Sequence, residues 1–521
     1  MLRVLPSILD SKGRVRPALL IGFLLAAASS ARAAPWAQAA GPHGNFVTEG
    51  AAPAEFSVAL GNNVRWRTPL PNTGQGTPIV FGGKVFVTSH EQIDRDTETG
   101  RDILGLCFDA ETGVELWRRT IPGVRVTDLS SLFSDNTAAS PVATMDQVVF
   151  TNVGGAMMCF DHDGNKKWTH RWVPFGRHHA RQHEPILHRD RVIVLKTRSE
   201  DLQVRHTTKA GAHPLGRGPE YWTHLMAFDL GTGKKVWVAE AGTSVHAASL
   251  LGTTPSGEVA ILTGRGGGHQ PPEAPYGLSL VSAEDGSTRW SLPIPGYRAA
   301  QNVVWRGRFG YAFAKGHHLT IDIESGMIVK RVSLTDEVSL CSRRDGKDIL
   351  ERNRALPGRH KGDLTNQSNC LVGDYHYFRT HEAFLIGRVN VRTGAVAYLE
   401  VPVQVVRKPG AGEKRLWKKA LGNDLKTAQG FRATQDKRNA GNGWGHVSAA
   451  SPIAVGDRLY LPTMIGMVYV LKWDAGVLDE KALLSVSDLG PAGATWSLSS
   501  LSFAEGRLYA RTLKELICLG R

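Results

Sequence analysis

Three imidazoles and two guanidiniums fall within seven residues of Gly176-Arg177-His178-His179-Ala180-Arg181-Gln182-His183-Glu184-Pro185, the densest polar stretch of the 521-residue chain. Neutral imidazoles at this spacing can hold a transition metal, with His178 or His179 and His183 as candidate ligands. Arg177 and Arg181 can instead grip an anionic or polar ligand through their forked donors. The same residues also suit a solvated loop whose histidines bond locally. All three readings stay open at this point. The stretch shares a small-Pro step, Glu184-Pro185, with Ser140-Pro141 and Ser451-Pro452, and six residues upstream of these prolines stand Asp135, His179 and His446. His246 precedes a comparable Ala-Ala-Ser. If the three steps are equivalent places in a repeat, Asp135, Arg177, His179, Arg181, His183, His246 and His446 form one candidate ligand-binding set.

Other chemistry is sparser. Residues 403 to 443 form a basic insertion, with ten Lys or Arg from Arg407 to Arg438 against Glu413, Asp424 and Asp436. Such a stretch suits a solvated loop or an anionic partner, for example a polysaccharide, a phospholipid head group or an acidic protein. Residues 198 to 220 and 336 to 363 are further polar insertions. Gly264 to His269 lacks the spacing of a nucleotide loop and reads as a long turn. No Ser-His-Asp elbow, paired-acid motif or His-Glu-x-x-His is visible, which leaves catalytic residues unassigned. Cys107, Cys159 and Cys518 read as small apolar residues in strands. Cys341 and Cys370 flank a polar insertion and are a candidate disulfide in an oxidising compartment. There is no zinc-type cysteine spacing and no Cys-x-x-Cys-His.

The elements that must carry these loops are written in a repeat. Leu106-Cys-Phe-Asp109-Ala-Glu-Thr-Gly113-Val-Glu-Leu-Trp117 recurs as Met158-Cys-Phe-Asp161-His-Asp-Gly164-Asn-Lys-Lys-Trp168 and as Met226-Ala-Phe-Asp229-Leu-Gly-Thr-Gly233-Lys-Lys-Val-Trp237. A degraded copy runs through Asp285, Gly286 and Trp290. Each copy is an apolar strand, an Asp/Gly turn with a positive φ and a second strand bearing a large aromatic. Fainter copies at Asp322 to Gly326, Asn390 to Gly394 and Asp474 to Gly476 replace the tryptophan with Val, Tyr or Leu. Four short strands per 40 to 70 residues describe a β-propeller. Near the start, Asn63 to Leu70 is an outer strand with no inner strands before it, whereas the chain ends on strands at Arg507 to Arg511 and Leu513 to Leu519 that lack an outer one. One blade is therefore expected to be completed by both ends, removing an exposed sheet edge. The expectation is an all-β, eight-bladed propeller over residues 55 to 521, with seven blades if one weak repeat is misread.

The first residues are expected to be removed. Basic residues precede an apolar run from Ala18 to Ala28, followed by Ala31-Arg32-Ala33, the pattern of a signal peptide cleaved near Ala33. Residues 1 to 33 hold Arg3, Lys12, Arg14, Arg16 and Arg32 against Asp10, so their loss lowers the net charge of +14 to about +10. Residues 34 to 54 read as a flexible segment before the first strand. A secreted or periplasmic monomer follows, with no integral membrane segment after cleavage and no nucleic-acid partner.

The Asp-x-x-Thr-Gly-x-x-x-Trp motifs at 109 to 117 and 229 to 237 resemble the tryptophan-docking motifs of the pyrroloquinoline-quinone-type propellers. That superfamily holds the quinoprotein alcohol dehydrogenases and the propeller lipoprotein of the outer-membrane assembly machinery. The resemblance covers nearly all of the chain after residue 33. It implies that Trp66, Trp117, Trp168, Trp237 and Trp290 are structural residues docked between blades. It also implies two functions. One is a binding or scaffolding module for a polar or anionic ligand or protein partner. The other is a quinone-dependent oxidoreductase acting on alcohols or sugars, with pyrroloquinoline quinone and calcium as cofactors. The chain lacks the adjacent Cys-Cys pair that such dehydrogenases carry beside the quinone.

Overall fold

Alternating apolar residues broken every few positions by Gly, Asp and Asn turns fold here into eight radially arranged sheets. The computed structural model describes residues 34–94, 99–128, 135–172, 184–197, 223–242, 248–265, 276–297, 302–356, 365–380, 383–426 and 450–521. Blade 1 is typical, with strands Ile79–Phe81, Lys84–His90, Ile103–Asp109 and Glu115–Ile121 running antiparallel from the axis outward. The second and third strands are almost wholly buried, while the outer strand alternates buried and exposed. The core therefore lies between neighbouring blades. Blade 8 is built from Ser502–Ala504, Arg507–Arg511 and Glu515–Leu519, closed by Val64–Pro69 from the other end of the chain. The eight-bladed count and the closure agree with the sequence reading.

Successive blades are locked by a contact between an outer strand and the next blade's turn. The indole of Trp66 donates to the Ala110 carbonyl at 3.1 Å, Trp117 to His162 at 2.9 Å, Trp168 to Leu230 at 2.7 Å and Trp290 to Ile323 at 2.6 Å. Each ring lies on the turn glycine of the following blade. A Cβ at Gly113, Gly164, Gly233, Gly286 or Gly326 would come within 2.5 to 3.0 Å of that ring, and all five have φ between 68° and 83°. Both the bend and the stacking thus require glycine. Trp237 makes the same contact with Gly286, without a partner for its N–H. Directly across the sheet from Trp66, Trp117 and Trp168 stand Cys518, Cys107 and Cys159. A small side chain is what fits beneath an indole. Burial pushes the thiols of Cys107 and Cys159 up to about 12, so they remain uncharged.

Where the repeat fades, other groups take over. The residues in register with the docking tryptophans are Lys330, Ala397 and Ser485, not the Val, Tyr or Leu suggested by the faint copies. Lys330 reaches the Arg392 carbonyl at 3.1 Å. In blade 6 the third strand supplies Arg388 instead, which donates to the Ala475 and Gly476 carbonyls at 2.7 and 3.1 Å and stacks 4.2 Å from the Tyr375 ring. Ser485 of blade 7 donates to Ala54 at 2.7 Å.

The insertion at 336 to 363 is an extension of the sheet. Val338–Arg344 pairs in parallel with the outer strand of blade 6, Val396–Glu400, and carries Lys347–Arg354 beyond it, making six strands. Gln404–Arg407 and Glu413–Leu416 form a separate hairpin. Its Arg407 is buried between Glu413 and Asp488, so one of the basic residues of 403 to 443 is a structural ion rather than a surface charge. Residues 198 to 220 and 427 to 443 lie outside the described residues. Cys341 and Cys370 are separate free thiols, contrary to the expected disulfide. They stand on opposite sides of three intervening strands of the same sheet. At about 4.8 Å per strand this is far beyond the Cα separation a disulfide spans.

Residues 34 to 54, expected to be flexible, are packed along the axis. Trp36 lies against the inner strand of blade 1, where its carbonyl accepts from Val80 N at 3.0 Å. Ala37 accepts from Ala143 of blade 2, and the Gln38 side chain from Leu187 of blade 3. Val47–Thr48 adds in parallel to the inner strand of blade 7. Trp36, Ala39 and Phe46 are fully buried. The small and polar composition that suggested a linker is what a narrow channel with unpaired strand edges accepts. From there the chain passes outward against blade 7, with Arg458 and Tyr460 donating to the Ala52 and Pro53 carbonyls. It ends on Asp488, whose carboxylate takes Ser57 Oγ at 2.6 Å and Ala59 N at 2.8 Å.

Candidate functional site

A propeller presents two ends of its axis. In each blade the inner strand begins at one end, called here the entry face, and turns back at the other. The segment 34 to 50 occupies the far end, against the turn-proximal halves of the inner strands of blades 1, 2, 3 and 7. The axial site that remains is at the entry face, where the small-Pro steps lie.

Two residues before the inner strand of every blade but the sixth stands a register-equivalent position: Thr77, Ser140, Glu184, Ala248, Asn302, Ser451 and Ser500. Most of these positions link to the next blade by one rule, in which a backbone N–H donates to the neighbour's side-chain oxygen. Thr77 N reaches Ser140 Oγ at 2.9 Å, Ala248 N reaches Asn302 Oδ1 at 3.2 Å, Ser451 N reaches Ser500 Oγ at 2.7 Å and Ser500 N reaches Thr77 Oγ1 at 3.3 Å. Ser140 hydrogen-bonds the Glu184 carboxyl through both backbone and side chain. Asn302 also donates to Ser451 Oγ at 2.8 Å. Proline after several of these residues holds them extended, so the hydroxyl or amide points along the ring. Ala248 offers no acceptor, which leaves the step from blade 3 without this bond. The small-Pro step noticed in the sequence is this circular latch. Thr77-Pro78 carries the same step in the sequence, whereas the extension to Asn302 and Ser500 was hidden because they lack the proline.

Charged groups gather beside the latch. Asp135 is 2% exposed, takes Thr137 Oγ1 at 2.6 Å, Thr137 N at 2.9 Å and Gln75 Nε2 at 3.1 Å, and lies 3.2 Å from His90 Nε2. Burial opposes its ionisation, but His90 and Thr137 together hold it below the usual carboxylate range. Arg511 of blade 8 is equally buried and donates to the Thr88 carbonyl, while its Nε and Nη2 have no partner among the described residues. Burial lowers its guanidinium to about 9, opposed by Asp135. Glu184 is lifted to about 7 by burial, against the bonds from Ser140, and its Oε2 has no partner among the described residues. His90, Arg511 and Glu184 were not singled out from the sequence. His90 and Arg511 come from second strands, where a polar residue in an apolar run was the available signal.

Of the seven candidate ligand-binding residues only Asp135 lies in the described part, as a packed, fully bonded group rather than an open one. Arg177, His179, Arg181, His183, His246 and His446 lie outside the described residues, as does His178. Among the described residues no three His, Cys, Asp or Glu side chains converge as metal ligands. Asp135 and Glu184 belong to separate hydrogen-bonded groups, so the described residues do not assemble the carboxylate-rich set that calcium beside a quinone would need.

Residues 100–211 match the family model described as outer membrane protein assembly factor BamB. The repeat is of the pyrroloquinoline-quinone type. The match spans the first two docking motifs of the PQQ-type repeat and less than half of the chain. No curated protein matches the sequence. Solved structures similar to this one include BamB from Moraxella catarrhalis, at 11% identity and a TM-score of 0.44 over 88% of this chain and 99% of that one. A europium-containing methanol dehydrogenase is 12% identical, with a TM-score of 0.49 over 92% and 90%. The quinohemoprotein alcohol dehydrogenase from Comamonas testosteroni is 11% identical, with a TM-score of 0.48 over 94% and 81%. None of these likenesses says what this chain binds.

Proposed function

We propose that the chain is a secreted or periplasmic binding or scaffolding module that takes a polar or anionic ligand, or a protein partner presenting one, at the entry face of its axis. The observation that carries this reading is the occupation of the opposite end by residues 34 to 50, which leaves one axial end for a ligand. Buried charge at that end, Arg511 with two nitrogens and Glu184 with one oxygen that have no partner among the described residues, supports a polar occupant. So do Arg177, His179, Arg181 and His183, whose sequence leads directly into Glu184. The rigid ring of latched strands is the frame such loops use.

The test is a binding screen of anionic glycans and acidic peptides against the wild type and an Arg177→Ala, His179→Ala, His183→Ala triple variant. Binding should strengthen as pH falls through the histidine range near 6.5 and weaken with salt. Equal binding by both proteins would overturn the reading. Reduction of a dye after addition of the quinone with calcium would replace it with the oxidoreductase reading.

A further inference from the structure

A second concavity lies on the entry face away from the axis, between the loop that enters blade 8 and the first part of the basic insertion. It holds about 440 Å³ and is lined by residues 424–426, 489–491 and 493–496, together with Arg67, Thr512, Lys514 and Glu515. Its accessible apolar lining is Pro491 and Ala494, both exposed, set over the buried Trp496, Leu489 and Leu425. The wall is fixed by backbone bonds across the two segments, with Asp424 N donating to Gly493 at 3.1 Å and Asn423 Nδ2 to Thr495 at 2.8 Å.

The rim is charged unevenly. Arg67 and Glu515 neutralise each other through a forked pair at 2.6 to 3.2 Å. Lys426 and Lys514 are both exposed lining residues, and neither ammonium has a carboxylate partner among the described residues. Asp424 is the one lining carboxylate outside the Arg67 pair, so the rim keeps a net positive charge. A cavity of this size is within the range that takes small molecules. An apolar lining beside two unpaired ammonium groups is complementary to a ligand with an apolar body and an anionic end.

We propose that this cavity binds small amphipathic carboxylates, aryl or acyl, with the apolar body against Pro491 and Ala494 and the carboxylate held by Lys426 and Lys514. The site is separate from the axial one. Neither lysine is needed by the fold, since both side chains are exposed, so charge reversal tests the site without loosening blade 8.

The experiment is calorimetric titration of the full protein with 2-naphthoate and with its neutral counterpart 2-naphthylmethanol. The wild type should bind 2-naphthoate at least tenfold more tightly than the alcohol, and more weakly as salt rises. Lys426→Glu with Lys514→Glu should weaken 2-naphthoate at least tenfold at an unchanged melting temperature. Ala494→Phe, which fills the cavity and keeps both lysines, should weaken acid and alcohol alike. The Arg177→Ala, His179→Ala, His183→Ala variant should bind 2-naphthoate as the wild type does, which separates this site from the axial one. Absence of binding by the wild type, binding that survives the double charge reversal, or binding lost in the axial variant would each overturn the proposal.

Discussion

The arc from blade 8 through blade 4 and the arc from blade 5 through blade 7 solve one problem in two ways. In the first, an indole on each outer strand covers the next blade's turn glycine. The contact is made by a short sequence word, so each junction is a copy of the last. In the second, Lys330, Arg388 and Ser485 make the junctions, from different strands and with different partners, the last of them the chain's own residues 52 to 59. The sheet extension and the basic hairpin also belong to this arc. Releasing the junction from the tryptophan motif leaves the outer strand free to carry added structure.

The comparison breaks first at the closure. Removing residues 512–521 deletes the third strand of blade 8 and strips Val64–Pro69 of its partner. The truncated protein should aggregate or fail to melt cooperatively, whereas unchanged melting would count against a closed ring. Within the first arc, Trp117→Ala should cost about 3–5 kcal/mol, as the deletion of a buried aromatic, measurable by denaturant unfolding. Within the second, Arg388→Met should cost roughly 1.5–3 kcal/mol, because hydrogen bonds from a charged donor to the Ala475 and Gly476 carbonyls are lost. Loss of ligand binding without loss of stability in the tryptophan variant would move Trp117 from frame to site.

The two arcs should also differ in acid. Between blades 5 and 6, His318 Nε2 and His376 Nδ1 are 3.0 Å apart and fully buried, and His376 Nε2 faces the side-chain Oδ1 of Asn369 at 3.0 Å. Burial takes His318 down to about 3, with a smaller contribution from Lys330, and burial and His318 drive His376 well below its ordinary value. The groups facing the pair are the rings of Tyr311 and Phe313, the Asn369 amide and the more distant Lys330. Because the folded values lie below the unfolded value near 6.5, the neutral pair stabilises the fold above that pH and loses this as the pH falls below it. The melting temperature should drop between pH 6.5 and 4, and less steeply in His376→Asn. The smallest effect is expected for Lys330→Ala, under about 1 kcal/mol for a half-exposed lysine. A cost equal to that of Trp117→Ala would erase the distinction between the arcs.

What the sequence disclosed follows the same division. The tryptophan words fixed the repeat, the blade count and the closure, since each is local and its glycine has one conformational reason to be there. Lys330, Arg388 and Ser485 carry no such word: a lysine, an arginine and a serine on strands look alike whether they dock or face solvent. The disulfide expectation failed because closeness in sequence across an insertion says nothing of an added strand pair. The latch was half visible, where a proline followed Ser140, Glu184 and Ser451, and invisible at Asn302 and Ser500. Residues 34 to 54 were the largest omission, since a segment that lends its backbone to other strands needs no periodicity of its own.

That segment bears on how the molecule can be made. Its residues Trp36 to Thr48 end up inside a ring closed by a strand more than 450 positions later, and bonds such as Ser57 to Asp488 span 431 positions of chain. The bonds of residues 36 to 38 to blades 1, 2 and 3 join neighbours in sequence, whereas those to blade 7 and the pairing of Val64–Pro69 in blade 8 wait for the end of the chain, and contacts of such separation form slowly. Synthesis from the N-terminus therefore holds Val47–Thr48 and Val64–Pro69 without their strand partners until late, exposed to other chains. Only the closing of the last strand completes the ring.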